Sequence, residues 1–263
     1  MNVQNVQQET VAAYEVWVLT AQRKKLIQDE LDRVGRVVSG DLAQRFGLSE
    51  DTIRRDLRQM AANGQCQRVY GGAVAPHAGP LSIRHDHLRL EKARLADLAV
   101  SLVSPKQTLI IDAGSTNSAI ARALPQDADL TVITNAPDIA GILALRPDIE
   151  LVMLGGVYDR DIGACLGPQT EAGLAHLRAD WLFLGSCGLD GDNGVTAFDE
   201  REAAVKVAMA EASDQIAAAV TCEKLGTAAS YRVLSLSRLN VLIAEPGPDL
   251  SVFEMAGVAL KTG

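Results

Sequence analysis

Two short stretches carry the side chains best suited to chemistry. The first is Thr52-Ile-Arg-Arg-Asp-Leu-Arg58, where Arg54, Arg55 and Arg58 fall within about one helical turn. A guanidinium presents a planar fork of donors that matches phosphate oxygens and the O6/N7 edge of guanine. The second is Asp112-Ala-Gly-Ser-Thr116, which follows an apolar run and leads into a helical pattern. Small residues there let the backbone approach a ligand, Ser115 and Thr116 add hydroxyls, and free N–H groups at a helix start favour an anion. Other candidates also follow apolar runs: Thr134-Asn135, Gly155-Gly156, Gly185-Ser186-Cys187-Gly188-Leu189-Asp190, and Lys224. Each fragment alone reads as a turn. Convergence on one sheet edge is what would make them a site. No G-x-x-x-x-G-K-[ST] or G-x-G-x-x-G pattern occurs. His85-Asp86-His87 has no further Cys or His beside it and reads as solvated linker, so no metal site is expected.

The elements that must position the arginines read as helices. Leu26, Ile27, Leu31 and Val34 give Arg23 to Val34 a helical period, and Gly35 ends it. Ser39 is placed to cap Gly40 to Phe46, Gly47-Leu48 makes a short turn, and Ser49 caps Glu50 to Ala62, which closes at Asn63-Gly64. Two helices joined by a tight glycine-containing turn match a helix-turn-helix. In the second, Ile53, Leu57 and Met60 share one face while Asp51, Arg55 and Arg58 point the other way, flanked by Thr52, Arg54 and Gln59. Gln67-Arg68-Val69-Tyr70 and Ala73-Val74, around Gly71-Gly72, predict a two-stranded wing.

The second stretch belongs to a larger α/β segment. Helical patterns at 92–103, 116–124, 137–145, 170–177 and 200–212 alternate with apolar strands at 108–111, 130–134, 150–154, 180–184, 216–220 and 240–244. Such alternation predicts a mainly parallel sheet, with ligands beyond the carboxyl ends of its strands. Gly and Pro between Gly71 and Pro80 mark the boundary. The expected organisation is an extension over 1–20, a DNA-binding domain over 21–75, a linker over 76–91 and an effector domain over 92–263.

Charge follows the same division. Residues 21–75 hold ten Lys/Arg against seven Asp/Glu, a net of +3, while the whole chain is −8 and the remainder therefore −11. A basic head on an acidic body suggests two jobs and excludes a uniformly basic nucleic-acid coat. With 4% aromatics, stacking on single-stranded bases has few candidates. Four scattered cysteines form no disulfide framework, no apolar run has membrane-spanning length, and Val11 to Leu19 carries Glu15 with no basic run before it. A cytoplasmic protein with no membrane partner and no cofactor is expected.

These motifs resemble those of the DeoR family of bacterial transcription regulators. The head does so at Thr52-Ile-Arg-Arg-Asp-Leu57 and Arg68-Val-Tyr-Gly-Gly-Ala73. The body does so at Asp112-Ala-Gly-Ser-Thr116, Val132-Ile-Thr-Asn135, Leu154-Gly-Gly156, Phe183-Leu-Gly185, Gly194-Val-Thr196, Glu202-Ala203, Lys206 and Lys224-Leu-Gly226. The resemblance implies a small winged helix-turn-helix domain binding duplex operator DNA, with Ser49, Thr52, Arg54, Arg55, Arg58, Arg68 and Tyr70 at the interface. It implies a larger sensor domain with the fold of ribose-5-phosphate isomerase and coenzyme A transferases. There Gly114, Ser115 and Thr116 would hold the phosphate of a sugar phosphate, and Asp112, Asn135, Gly156, Asp190 and Lys224 would line the pocket. Two positions depart from the family pattern: Thr221 stands where an Asp is usual, and Tyr70 where a His is often found.

The leading expectation is a regulator of carbohydrate metabolism, most simply a repressor, working as a homo-oligomer (dimer or tetramer) without catalysis. The alternative is an enzyme resembling a sugar-phosphate isomerase with an appended DNA-binding domain, for which Asp112, Asp190 and Lys224 would supply parts of an acid–base site. A third is a DNA-binding protein whose body serves only to oligomerise.

Overall fold

The computed structural model describes residues 20–34, 36–63, 65–69, 71–74 and 88–263. The chain divides into two compact units, Met1–His77 and Ala78–Gly263. The expected extension up to residue 19, the wing residue Tyr70, the helix-ending Gly35 and Gly64, and His85 and His87 lie outside the described residues.

In the first unit, α1 (Thr20–Val34) leads to β1 (Arg36–Val38), α2 (Ser39–Phe46), α3 (Glu50–Ala62), β2 (Gln67–Val69) and β3 (Gly72–Val74). Ile27, Leu31, Val37, Leu42, Ile53, Leu57 and Met60 form its core, so the apolar face read for α3 does pack inward. The turn between α2 and α3 is set by Gly47, at φ 64°, a left-handed conformation that glycine adopts without steric penalty. Ser49 caps α3 as expected, its Oγ accepting the Thr52 N–H at 3.3 Å. Ser39 does not cap α2. It is the first helical residue, and Val38 occupies the cap position with no side-chain bond. The reason is tertiary: the Ser39 N–H donates to Gly71 O at 2.7 Å, so the wing satisfies this helix end.

The wing also has a third strand that sequence patterning missed. The antiparallel order is β1-β3-β2, and a Cβ on Gly72 would lie 2.0 Å from Val37 O. Only glycine permits that strand approach. Arg23 and Asp56 form a buried ion pair at 2.6 Å that ties α1 to α3.

The second unit runs α4 (Arg89–Val100), β4 (Thr108–Ile111), α5 (Ser115–Ala123), β5 (Leu130–Thr134), α6 (Pro137–Leu143), β6 (Ile149–Met153), β7 (Val157–Asp159), β8 (Ala164–Leu166), α7 (Pro168–Leu174), β9 (Ala179–Phe183), β10 (Gly188–Asp190), β11 (Gly194–Ala197), α8 (Glu200–Glu211), β12 (Ser213–Val220), β13 (Tyr231–Leu234), β14 (Val241–Ala244), α9 (Ser251–Met255) and β15 (Ala259–Thr262). Residues 89–91, expected to end the linker, already belong to α4.

Seven strands form one parallel sheet in the order β15-β14-β12-β9-β4-β5-β6. Buried runs such as Leu109-Ile110-Ile111 and Trp181-Leu182-Phe183 suit strands covered on both faces. From β4 the chain first adds β5 and β6 on one side, then returns to add β9, β12, β14 and β15 on the other. The strand order therefore reverses between β4 and β9, and a crevice is expected outside their carboxyl ends.

The buried pair makes the head testable. Asp56→Ala would leave Arg23 buried without its carboxylate, an effect of about 3–5 kcal/mol. Urea denaturation followed by a head-specific probe should show that loss, with the sensor transition unchanged.

Candidate functional site

Three strand ends meet at the switch point of the large sheet. After β4, Asp112 turns the chain toward Gly114, which caps α5 at φ 138° without a side-chain bond. The N-terminus of α5 thus opens through Ser115 and Thr116 with no side chain of the cap folded over it. Asn117, one residue on, latches this loop to the neighbouring strand: its Nδ2 donates to Asp112 O at 2.8 Å and to Phe183 O at 2.9 Å.

After β9, Gly185 meets the same loop. Its N–H donates to Asp112 Oδ2 at 2.9 Å, and a Cβ there would sit 2.5 Å from Ala113 O. After β12, Thr221-Cys-Glu-Lys makes a 3₁₀ turn over Cys222–Lys224, and Lys224 Nζ donates to Ser186 O at 3.0 Å. Lys224 is half-buried, so its ammonium stands beside the β9 loop.

Beneath these loops lies a charge cluster that residue spacing could not assemble. Lys206 of α8 is 2% exposed; its ammonium donates to Asp112 Oδ2 and to Gly185 O, the latter at 2.9 Å, and lies 3.3 Å from Glu202 Oε1. Asp199 caps α8 and holds this helix in place by accepting the Arg201 and Glu202 N–H groups. Burial works against the Lys206 ammonium, but the Asp112 and Glu202 carboxylates outweigh it and hold its pKa above the usual lysine value. Cys187 lies 3.7 Å from Glu202 Oε2, and burial, with Glu202 reinforcing, pushes its thiol up to about 12. It is an unreactive core thiol at neutral pH.

The expected site residues divide by what their polar atoms already do. Asp112 has both oxygens engaged, Oδ1 by the Ala113 N–H at 2.8 Å and Oδ2 by Gly185 and Lys206. Gly156, at φ 146°, approaches its own fold: a Cβ would lie 2.2 Å from Thr170 Oγ1. Asp190 does not stand at an end of the large sheet. It ends β10 of a second sheet, β10-β11-β13, and its Oδ1 accepts the Asn193 N–H at 2.6 Å to close the hairpin turn. Asn135 donates through Nδ2 to Cys165 O at 3.0 Å, while its buried Oδ1 has no hydrogen-bond partner among the described residues. Thr221 is 1% exposed, with Oγ1 3.4 Å from Glu223 Oε1. Gly114, Ser115 and Thr116 lie at the start of α5 after β4, and Lys224 stands against the β9 loop.

In the head, α3 presents its arginines to solvent, with side chains 53%, 78% and 56% exposed for Arg54, Arg55 and Arg58. They are held by acids on the same helix: Arg54 to Glu50 at 2.6 Å, Arg55 to Asp51 at 3.6 Å and Arg58 to Asp51 at 3.9 Å. Exposed i,i+4 pairs contribute only about 0.3–0.5 kcal/mol, so a phosphate can displace the carboxylates cheaply. Ser49 Oγ and Thr52 Oγ1 are 2.9 Å apart at the start of the same helix, and Arg68 is exposed on β2. Among the described residues no cluster of three or more His, Cys, Asp or Glu could hold a metal, and no helix is long and apolar enough to cross a membrane.

A helix-turn-helix with a wing, followed by a domain built on a parallel sheet, is the architecture of a two-domain DNA-binding regulator. Comparison with known families specifies it. Residues 23–78 match the DeoR-like helix-turn-helix domain and residues 89–245 the DeoR C terminal sensor domain. The chain belongs to the DeoR family of transcription regulators.

It is 32% identical over 254 residues to the HTH-type transcriptional regulator GlpR of Haloferax volcanii, covering 94% of this chain and 99% of that one. It is 30% identical to the glycerol-3-phosphate regulon repressor of Escherichia coli K12, covering 89% and 94%. It is also 30% identical to the putative aga operon transcriptional repressor of Escherichia coli O157:H7, covering 91% and 92%. Among solved structures, ribose 5-phosphate isomerase A from Methanocaldococcus jannaschii aligns over 52% of this chain and 55% of its own at 16% identity, with a TM-score of 0.39, too distant to bear on function.

The Lys206 cluster has a measurable signature. Lys206→Met leaves Asp112 and Glu202 without their buried counter-charge and should destabilise the sensor by about 3–5 kcal/mol, while Lys206→Met with Asp112→Asn should recover part of that loss. Because the folded lysine pKa is raised, its contribution is complete below the ordinary value of 10.5 and falls only as pH climbs through the higher folded value. Urea titrations of wild type and Lys206→Met should therefore keep a constant difference from pH 7 to 10 and converge above it.

Proposed function

We propose that this protein is a repressor that holds duplex operator DNA through the arginine face of α3 and loses affinity when a phosphorylated sugar or a related phosphate ester occupies the switch-point crevice. The observation that carries the reading is the exposed Arg54, Arg55 and Arg58 on a Ser49-capped helix, in a family whose relatives are named repressors. Ser49, Thr52, Arg68 and Tyr70 complete the DNA interface. Gly114, Ser115 and Thr116 receive the phosphate at the start of α5, with Lys224 supplying positive charge. Asn135 offers an unused acceptor, and Asp112, Gly156 and Asp190 act by shaping the loops. Residues 21–75 are the DNA-binding domain, 76–88 join it to the rest, and the sensor extends from α4 to Gly263.

The protein works in the cytoplasm as a homo-oligomer, at least a dimer, because one recognition helix reads few base pairs and a two-fold pair of heads matches a repeated half-site. An isomerase reading is disfavoured. A general base needs a free carboxylate near the substrate, whereas Asp112 is committed to Ala113, Gly185 and Lys206.

Two sets of variants test the halves separately. Arg54→Ala and Arg55→Ala should weaken operator binding. A lost phosphate contact lowers the salt slope by about one for all sequences, and a lost guanine contact amounts to about 1–3 kcal/mol at one base position. Fluorescence anisotropy at several salt concentrations reads both, and unchanged affinity in the two variants would refute the head assignment. In the sensor, Lys224→Ala and Thr116→Val should retain operator affinity without ligand and shift the effector concentration for release upward by at least tenfold. A wild-type response in both would place the phosphate elsewhere.

A further inference from the structure

Strand β6 terminates the large sheet: it pairs with β5, and among the described residues no strand lies on its other side. The ladder tells which groups that open side presents. The Leu154 N–H donates to Thr134 O of β5 at 2.8 Å. Successive residues of a strand direct their N–H and C=O groups to opposite sides, so Val152 and Glu150 also bond toward β5, while Met153, Leu151 and Ile149 face outward. The Ile149 N–H agrees with this, since it donates to Arg146 O at 3.3 Å and not to β5.

Monomeric proteins blunt such an edge with lysine, proline or a bulge. The opposite edge strand, β15, carries Lys261. In β6, Ile149-Glu-Leu-Val-Met153, none of these devices is present: its register with β5 runs residue for residue, and Glu150 is its one charge. The Glu150 carboxylate is drawn back over the sheet, where it accepts the Thr131 hydroxyl at 3.3 Å. Ten large hydrophobic side chains are exposed among the described residues, and four of them, Leu145, Met153, Val157 and Tyr158, fall in or around β6. Leu145, before the strand, is 91% exposed and Val157, beyond its other end, 71%. An apolar group of this kind around an open ladder marks a contact surface.

We propose that the β6 edge is a self-association surface, on which a second copy of this chain lays its own β6 antiparallel across a two-fold axis at Leu151. The outward groups are symmetric about that residue, which is what selects a second copy as the occupant. Leu151 exchanges both backbone bonds with Leu151 of the second copy, and the Met153 N–H meets Ile149 O. The Ile149 N–H, already held by Arg146 O, needs no new partner. Side chains match in the same register: Ile149 faces Met153, and Glu150 faces Val152, so no like charges meet. An axis one residue earlier would set the two Glu150 carboxylates directly opposite each other, a destabilising pair. The axis also brings the start of one β6 beside the end of the other, so Leu145 lies at the same end of the pair as Val157 and Tyr158 of the second copy. Such a contact is isologous and uses up both edges, so it closes at two and does not propagate. The inference rests on the reading of the protein as an oligomer and deepens it by naming the surface.

The experiment uses the full chain without DNA. Sedimentation equilibrium compares wild type with Met153→Pro and Met153→Lys, and circular dichroism melts check that each variant folds. Proline removes an outward N–H and leaves the β5 ladder intact; lysine supplies the missing edge charge and serves if the proline variant does not fold. Both should raise the dissociation constant of one association step at least tenfold. Cross-linking reads the register. Across the axis the Leu151 Cα atoms would stand about 5.5 Å apart, within disulfide range, so Leu151→Cys should form a covalent dimer under mild oxidant, while Glu150→Cys alone and wild type should not. If Leu151→Cys does not fold, an equimolar mixture of Glu150→Cys and Val152→Cys should cross-link where neither does alone. A wild-type oligomer unaltered in both Met153 variants, or cross-linking of Leu151→Cys no faster than of Glu150→Cys, would overturn the β6 surface and leave the oligomer reading standing. A wild type that sediments as a monomer at micromolar concentration would overturn both and leave the edge to a different partner.

Discussion

The contact on which the sensor's crevice depends is the Lys206–Asp112 ion pair. It is buried, it spans 94 residues of sequence, and it joins three elements: the loop after β4, the loop after β9 and helix α8. A buried ion pair adds little net stability, because desolvating two charges offsets most of their attraction. What it does strongly is penalise every arrangement in which one partner is buried alone. The β4 and β9 loops can consequently close only with Asp112 and Gly185 in register. Gly185 and Asn117 follow from the same constraint. A side chain at 185 would collide with Ala113 O, and Asn117 supplies the donors that two strand-end carbonyls would otherwise lack. The anion-directed start of α5 is thus held from beneath by groups that need not touch a ligand.

The head repeats the device on a smaller scale. Arg23–Asp56 ties α1 to α3 from the inside, while the outward arginines are paired only with acids on their own helix. The contrast in burial decides their roles. A pair at about one-tenth exposure is expensive to separate and orients the helix; pairs above half exposure are screened and readily exchanged. Glu50 and Asp51 also sit in the first turn of α3, where negative charge complements the helix dipole. They stabilise the free helix.

The legibility of this molecule in its sequence follows the range of the forces involved. Helices and strands with three or more core-facing apolar residues announce themselves by period: Ile53, Leu57 and Met60 in α3, or Leu109 to Ile111 in β4. So do local caps such as Ser49. Strands of three residues are too short to display alternation; β2 and β3 are legible through the Gly71-Gly72 turn between them, whereas β1, β7, β8 and β10 are not. The shift of Asp190 from a sheet end to a hairpin of a second sheet follows from that omission. Ser39 was misplaced because its N–H is satisfied by Gly71, 32 residues away. Arg23 and Asp56 carry no local mark at all, and Lys206 is marked only through the family resemblance: a charged residue in an amphipathic helix looks the same on either face until the fold supplies its partner.

Charge partition gives the regulator its sensitivity. The chain is −8 in total and the head is only +3, so DNA affinity has a narrow electrostatic base and an acidic body adds none. Counterion release scales with the few phosphates neutralised, which leaves specific contacts to supply the rest. A regulator so poised needs little coupling energy to switch. A tenfold change in operator affinity corresponds to about 1.4 kcal/mol, comparable to one charge-assisted hydrogen bond to a phosphate. By linkage the same factor must weaken effector binding on the DNA-bound form. A crevice whose loops are fixed by a buried ion pair suits that requirement. Loops held in one arrangement before a ligand arrives spare binding energy that would otherwise be consumed in ordering them.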